Sequence, residues 1–495
     1  MSFKVLLIQA NSPMDTLIPP NLATISACLK EAGVDIKLFD TTFYRTRKVT
    51  GDDKRVETLQ VKKTDFSQYG IYYKESNMID DFKKMVEDYQ PDLIGLSAIS
   101  ATYKDGIYLL NSVKNKNIPN VVGGVHATVY QEKVFRDNVV DMICIGEGEK
   151  SFVELCKNME NKEDIYHIPN LCFKMNGKIV KNPLNPPVDL ETLPFQDWSI
   201  FHEHRRMKPM GGKIRTTACV ELSRYCPYSC TYCTNEFFHK IYNFKNYREK
   251  SIKRFIAEVK YLKEKYNVKY IYMSAESFLS TKKERFEEFI KEYEKIKIPF
   301  WMESRPEAIT SEKIEKLKSV GCESMNVGVE SGDEKFRRKV LNRKMFNQQI
   351  IDGIKIVKVF GIRIGANIII GFPTETRDQI FKTIDIMRIA NPDNIMVHPF
   401  NPYYGTKLYD LCVDKKYIDS DAVGGDYRID YILDMPQLSK EEIMGIYRTF
   451  NLYVKFPKTM WSDIKKAEKF DDVGNKIFKE LSKVYKKKYL RGSNK

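Results

Sequence analysis

The stretch Ala218-Cys219-Val220-Glu221-Leu222-Ser223-Arg224-Tyr225-Cys226-Pro227-Tyr228-Ser229-Cys230-Thr231-Tyr232-Cys233 decides how this chain reads. Its opening residues have the apolar character of a short buried strand, and three thiols follow in the loop directly after it. Thiols at these intervals, crowded into one loop, suit separate irons of one cubane cluster. Three protein ligands leave the fourth iron open to an exogenous group, the counterpart of the open position in a catalytic zinc site. A structural zinc site would want a fourth ligand close by, and His239 is the near histidine.

C-terminal to the motif, strand-like runs alternate with amphipathic helical stretches. Strands are expected at 218–222, 270–274, 300–304, 324–329, 364–370 and 394–399. Six strand–helix units imply a partial barrel of the TIM type, (β/α)6, with chemistry at the carboxyl ends of its strands. The thiol loop falls at the first of those ends. After about residue 410 the chain becomes helical and basic.

N-terminal to the motif a second alternating series is expected, with strands at 5–10, 36–39, 93–97, 121–122 and 142–145 and helices such as 22–32 between them. The fold class is therefore α/β, opening with a flavodoxin-like doubly wound sheet. Ligands of such sheets sit beyond the carboxyl ends of the strands. Those ends carry residues 11–20, the loop from Ser97 to Thr102, Gly123-Gly124-Val125-His126 and Gly146-Glu147-Gly148-Glu149. Glycines let a backbone approach a large ligand closely, though they also serve as plain turns. A hairpin is expected over 171–181, closed by Asn176-Gly177, and a proline-bearing linker follows it. The expected domains are 1–185, a linker 186–215, the barrel 216–410 and a C-terminal substrate or capping region 411–495.

Composition narrows the class further. A chain of 495 residues, 42% of them hydrophobic, fills two or three full cores. Its ten cysteines are too few for a disulfide framework, and three sit in the motif, so a reducing, cytoplasmic setting is expected. No run of about 18 apolar residues and no leader peptide is read. The net charge of +15 comes from interleaved Lys and Glu, the pattern of solvated helical surfaces. The densest basic run, from Lys479 to Lys495, contains Lys486, Lys487, Lys488 and Arg491 and would suit an anionic membrane face.

The Cys-x3-Cys-x2-Cys spacing with Tyr232 before the last cysteine resembles the radical S-adenosylmethionine (SAM) superfamily. Further stretches resemble its cobalamin-binding branch: Val327-Gly328-Val329-Glu330-Ser331-Gly332-Asp333, Gly371-Phe372-Pro373-Thr374-Glu375-Thr376, Pro402-Tyr403-Tyr404-Gly405-Thr406, and Pro19-Pro20-Asn21-Leu22 with the glycine loops of the first sheet. The resemblance spans residues 3 to about 410. It implies a 4Fe–4S cluster on Cys226, Cys230 and Cys233, S-adenosyl-L-methionine on the open iron, and a 5'-deoxyadenosyl radical made by reductive cleavage. It also implies cobalamin against Ser97, Thr102, Gly123, Gly124, His126, Gly146, Glu147 and Gly148.

Individual side chains receive roles on the same basis. Tyr232 would border S-adenosylmethionine, Glu330 and Ser331 would meet its ribose hydroxyls, Arg305 its carboxylate and Glu276 its amino group. The branch usually shows paired aspartates where this chain has Ala275-Glu276, so Glu276 alone is carried over. None of the six histidines stands in an Asp-x-His-x-x-Gly context, so cobalt is expected to lack a histidine on its lower face.

The expected activity is methylation of an unactivated carbon. The alternative is a radical cyclisation, ring rearrangement or oxidation with the same cofactors. A transfer-RNA methylthiotransferase would need three further N-terminal cluster cysteines, and those before the motif are scattered. A non-enzymatic cobalamin or redox sensor would not need an open iron. The expected partners are a reductant such as flavodoxin or ferredoxin and a small-molecule, lipid or peptide substrate, with no nucleic acid.

Overall fold

The computed structural model describes residues 2–175, 177–243 and 247–490. Asn176 of the expected hairpin turn and Arg491 of the basic tail lie outside them.

The first sheet is built from β1 (Lys4–Gln9), β2 (Asp35–Asp40), β3 (Leu93–Ser97), β4 (Asn120–Gly123), β5 (Met142–Cys144), β6 (Leu171–Met175) and β7 (Lys178–Lys181). Its order is β2-β1-β3-β4-β5-β6-β7, parallel through β5 and antiparallel beyond. Val5, Leu6, Leu7 and Ile8 are all buried, as a strand covered by helices on both faces requires. The order is the flavodoxin-like one, and β6–β7 form the expected hairpin.

The second sheet contains β8 (Met207–Met210), β9 (Lys213–Glu221), β12 (Tyr270–Ser274), β13 (Phe300–Ser304), β14 (Cys322–Glu330), β15 (Arg363–Ile370) and β16 (Asn394–Pro399). Its order is β16-β15-β14-β13-β12-β9-β8, with six parallel strands in sequence order and β8 antiparallel at one edge. Strands β9 and β16 do not meet, so the barrel is open. The hairpin partner β8 lies inside the segment expected to be linker, because residues 207–221 pair with each other before the first parallel crossover. Arg205, from the same segment, is fully buried and ion-paired to Asp40. A short antiparallel ladder, β10 (Ser223–Arg224) with β11 (Arg248–Glu249), flanks the thiol loop.

The first domain closes the open barrel at both edges. On the β8 side, Thr16 Oγ1 donates to the Met207 carbonyl at 2.6 Å and Lys208 pairs with Asp15 at 2.7 Å. On the β16 side, the Gln60 amide donates to the Val397 carbonyl and accepts from the Val397 N–H, both at 3.0 Å. A single side chain thus satisfies the edge strand as a neighbouring strand would. Gln60 belongs to a long excursion between β2 and β3, residues 41–92, which includes the helix Gly51–Glu57 capped reciprocally by Thr50 and Asp53.

The C-terminal helices Lys440–Lys455, Trp461–Ala467 and Asp472–Tyr489 stack outside the last barrel strands. Among the described residues no helix is long and apolar enough to cross a membrane.

Candidate functional site

A cavity of about 2540 Å³ fills the lumen of the half-barrel and the gap to the first domain. Its barrel wall carries Tyr232, Glu303, Asn326, Glu330, Asn367 and His398, and its opposite wall carries Asn11, Ser97, Ala98, Ile99 and much of residues 44–79. Tyr272 and Trp301 lie against each other in the lumen, ring centroids 4.1 Å apart.

The thiol loop closes one end. Cys230 is buried and Cys226 and Cys233 are half-buried. Burial pushes the Cys226 thiol up to about 11 and the Cys233 thiol up to about 12, and the neighbouring thiols push the same way. Among the described residues no three His, Cys, Asp or Glu side chains converge tightly enough for one metal ion. His239 turns Nε2 to the Cys226 carbonyl oxygen at 2.9 Å.

Two guanidinium groups face the central sulfur. Arg305 Nη1 lies 3.8 Å and Arg343 Nη1 3.7 Å from Cys230 Sγ. Positive charge at this distance offsets the negative charge that thiolate ligands bring. Arg305 is held by Glu307 at 2.6 Å and lies 3.9 Å above the Tyr228 ring. Arg343 donates to the Gly328 carbonyl and, at 3.4 Å, to the Tyr232 hydroxyl. Sequence reasoning missed Arg343, which follows the helix Glu334–Lys339 in a stretch without a motif.

Glu330 ends β14 with φ +66°, a left-handed conformation that a non-glycine residue holds only under constraint. Burial raises its carboxyl pKa, while Arg343, Tyr232 and Arg305 pull it down. Glu303 stands two residues before Arg305, and burial with nearby Glu276 and Glu330 pushes its carboxyl up to about 8. Its polar neighbour is Asn367, at 3.5 Å. Glu276 lies close enough to Cys226 and Cys233 to raise both thiols. Ser331, by contrast, is fully buried, and its hydroxyl accepts from Asp333 N–H at 3.3 Å. It serves the turn into the next helix, whose N-terminus Asp333 caps.

On the first domain, Ser97 lines the cavity, whereas Thr102, Gly123, Gly124, His126, Gly146, Glu147 and Gly148 do not. Gly124 packs against β3: a Cβ there would meet the Ala98 carbonyl oxygen at 2.7 Å, and its φ is +93°. His126 is buried, stacked at 4.1 Å on Tyr103, with Nδ1 2.9 Å from Ser100 Oγ. Glu147 is paired with Arg248 and accepts from Val188 N–H. Arg224 joins Glu149 at 2.8 Å, Glu221 at 3.0 Å and Glu147 at 3.5 Å, tying the last loop of the first domain to the base of the thiol loop.

The cavity is large and partly apolar on the side of the first domain. Ile99 is 53% exposed, Tyr108 62% and Tyr72 63%, and all three line it together with Val49 and Tyr69. Large apolar side chains left facing one cavity mark a surface built to be covered.

Comparison with known proteins agrees with both halves. The B12-binding-domain model matches residues 8–156 and the radical SAM superfamily model residues 220–387. An uncharacterised methyltransferase of Pyrococcus horikoshii is 26% identical over 421 residues, covering 83% of this chain and 88% of its own. The cytidylyl-2-hydroxyethylphosphonate methyltransferase of Streptomyces wedmorensis is 20% identical over 479 residues, covering 88% and 85%. The solved structure of the cobalamin-dependent SAM radical enzyme OxsB, with aqua-cobalamin and SAM bound, shares the fold. Its TM-score is 0.69 at 17% identity, covering 98% of this chain and 71% of that one. The chain therefore joins a B12-binding domain to a radical SAM domain C-terminal to it, the arrangement of a cobalamin-dependent radical SAM enzyme. It is an enzyme of that class, and its cofactors are a 4Fe–4S cluster, S-adenosylmethionine and cobalamin.

Proposed function

We propose that this enzyme methylates an unactivated carbon of its substrate. The observation that carries the reading is the shared cavity: Ile99 and Ser97 of the first domain and Tyr232 and Glu330 of the cluster end open onto one space. When bound, the cluster and S-adenosylmethionine supply a carbon-centred radical and cobalamin supplies a methyl group. The chain's own residues supply position. Cys226, Cys230 and Cys233 hold the cluster, with Arg305 and Arg343 balancing its charge at Cys230. Arg343, braced on Gly328 and Tyr232, presents a guanidinium to the carboxylate of S-adenosylmethionine. Glu276 meets the amino group and Glu330 the ribose. Gln60 and residues 44–79 roof the lumen and exclude water and oxygen from the reacting centre.

The named relatives that support methyl transfer are both called methyltransferases. The domain reading 1–185, 186–215, 216–410 and 411–495 stands beside this function, with β8 as the barrel's contribution from the central segment. A cytoplasmic setting and an electron carrier such as flavodoxin or ferredoxin follow from the cluster's need for reducing power. Candidate substrates are a small molecule, a peptide or a lipid, and a lipid substrate would be met by exposed Lys486 and Lys488 near the end of Asp472–Tyr489.

The test is a turnover of candidate substrates with methyl-labelled S-adenosylmethionine and bound cobalamin. Label in the product supports methylation. Substrate consumed without label supports the cyclisation or oxidation alternative instead.

A further inference from the structure

Electrons must enter the cluster from outside the protein, and the thiol loop comes close to the surface beside Asn342. Asn342 is exposed, and its Nδ2 donates to the carbonyl of half-buried Ser229 at 2.8 Å, so exposed polar surface reaches the backbone next to Cys230. The same wall is stitched by Thr231, which donates from Oγ1 to the Val340 carbonyl at 2.7 Å and accepts from Leu408 N–H at 3.1 Å. On the other sides, the helix Asn235–Ile241 and the first domain cover the loop.

That wall is ringed by cations. The exposed face of the helix Glu334–Lys339 presents Lys335, Arg338 and Lys339, and Lys344 follows it. Across the loop stand Lys407 and Lys240, which share one carboxylate, Glu236, at 3.5 and 3.9 Å. Arg338 has Glu334 at 3.8 Å. Among the described residues, no carboxylate lies within ion-pair distance of Lys335, Lys339 or Lys344. Phe346, 48% exposed, lies under Arg338 at 4.1 Å and gives the ring of charge an apolar anchor. A cationic rim around an exposed aromatic, beside the loop that carries the cluster cysteines, has the composition of a transient docking surface.

We infer that this face, centred on Asn342 and rimmed by Lys335, Arg338, Lys339, Lys344 and Lys407, docks a small acidic one-electron carrier protein. The inference rests on the cluster reading above. In the step it serves, the reduced carrier loses one electron and the cluster gains it, and no bond or proton changes hands. Opposite charge on the two faces raises the encounter rate, by about 10- to 1000-fold at low salt.

The test uses the reconstituted holoenzyme and reads 5'-deoxyadenosine formed from S-adenosylmethionine, which needs no knowledge of the substrate. Reduced flavodoxin is the protein donor and dithionite the small-molecule donor. The triple charge reversal Lys339→Glu, Lys344→Glu and Lys407→Glu touches no cofactor contact. With flavodoxin at low ionic strength it should slow the reaction at least about tenfold and flatten its salt dependence, with the dithionite rate unchanged. A control reversal on the distant helix Asp472–Tyr489, at Lys476, Lys479 and Lys483, should leave both rates near wild type. An unaffected flavodoxin rate in the first triple, or equal slowing in both triples, overturns the docking face. Failure of the wild type to cleave S-adenosylmethionine with dithionite would instead overturn the cluster reading beneath it.

Discussion

Arg224 Nη1 lies 2.8 Å from Glu149 Oε1, a contact between the residue two before Cys226 and the first turn of a helix in the cobalamin-binding domain. Both side chains are largely buried, and Glu221 and Glu147 complete the arginine's surroundings. The two cofactor regions are therefore registered by charge as well as by packing. Truncating one partner of such a buried network leaves the others uncompensated. Arg224→Ala should lower the unfolding free energy of the apoprotein by about 3–5 kcal/mol in urea titrations. A loss under about 1 kcal/mol would show that the network does not couple the domains.

Arg343 sits between Cys230 Sγ and the Tyr232 hydroxyl, where a carboxylate on the open iron would meet it. A charge-assisted hydrogen bond contributes about 1.5–3 kcal/mol, so Arg343→Ala should weaken S-adenosylmethionine binding about 10- to 100-fold. Titration of the reconstituted, oxidised enzyme with S-adenosylmethionine measures this. An unchanged affinity would transfer the role to Arg305.

Gly124 has no room for a side chain, since a Cβ would stand 2.7 Å from the Ala98 carbonyl oxygen and 3.1 Å from its nitrogen. With φ at +93° the backbone also disfavours an L-residue. Gly124→Ala should destabilise the protein by about 1–3 kcal/mol and, by shifting β3 against β4, reduce cobalamin uptake measured by equilibrium dialysis. Wild-type stability and uptake would show that the loop yields without cost.

Glu375 is buried at the Gly371-Phe372-Pro373 turn, where its carboxylate accepts from Gly371 N–H at 2.7 Å and Phe372 N–H at 3.2 Å. Burial outweighs those bonds and pushes its carboxyl up from 4.5 to about 8. A group with a raised folded pKa favours the folded state fully below its unfolded pKa and loses that contribution as pH rises through the folded one. Wild type should therefore lose stability relative to Glu375→Gln from pH 4.5 to about 8, read from urea unfolding across that window. A pH-independent difference would mean the carboxyl titrates normally.

Much of this was legible in the sequence. The runs Tyr270–Ser274, Phe300–Ser304 and Asn394–Pro399 are strands with the bounds that their apolar residues and following turns imply. The flavodoxin-like order followed from short strands alternating with helices. Contacts that depend on distant chain segments were not legible. Gln60 pairs with Val397 across 337 residues, and nothing local marks an amide as an edge-strand partner. The roof over the cavity is polar and largely irregular, so no periodicity announced it. Arg205 lies in the segment expected to be linker, and its burial is decided by a distant partner, Asp40. Ser331 was read as a ribose contact from its place in a motif, and its hydroxyl also accepts from Asp333 N–H, a turn contact that depends on the local backbone. At Gly124 the structure adds a contact that no motif announces, a backbone approach so close that a Cβ would stand 2.7 Å from the Ala98 carbonyl oxygen.

The measurement that tests the central claim most directly is an iron, sulfide and cobalt analysis. It would use anaerobically reconstituted protein supplied with hydroxocobalamin and freed of excess reagents. The cluster end and the first sheet share one cavity, so the account predicts about four irons, about four sulfides and one cobalt per chain. Four irons without retained cobalt would contradict the two-cofactor enzyme and remove methyl transfer from cobalamin as its chemistry.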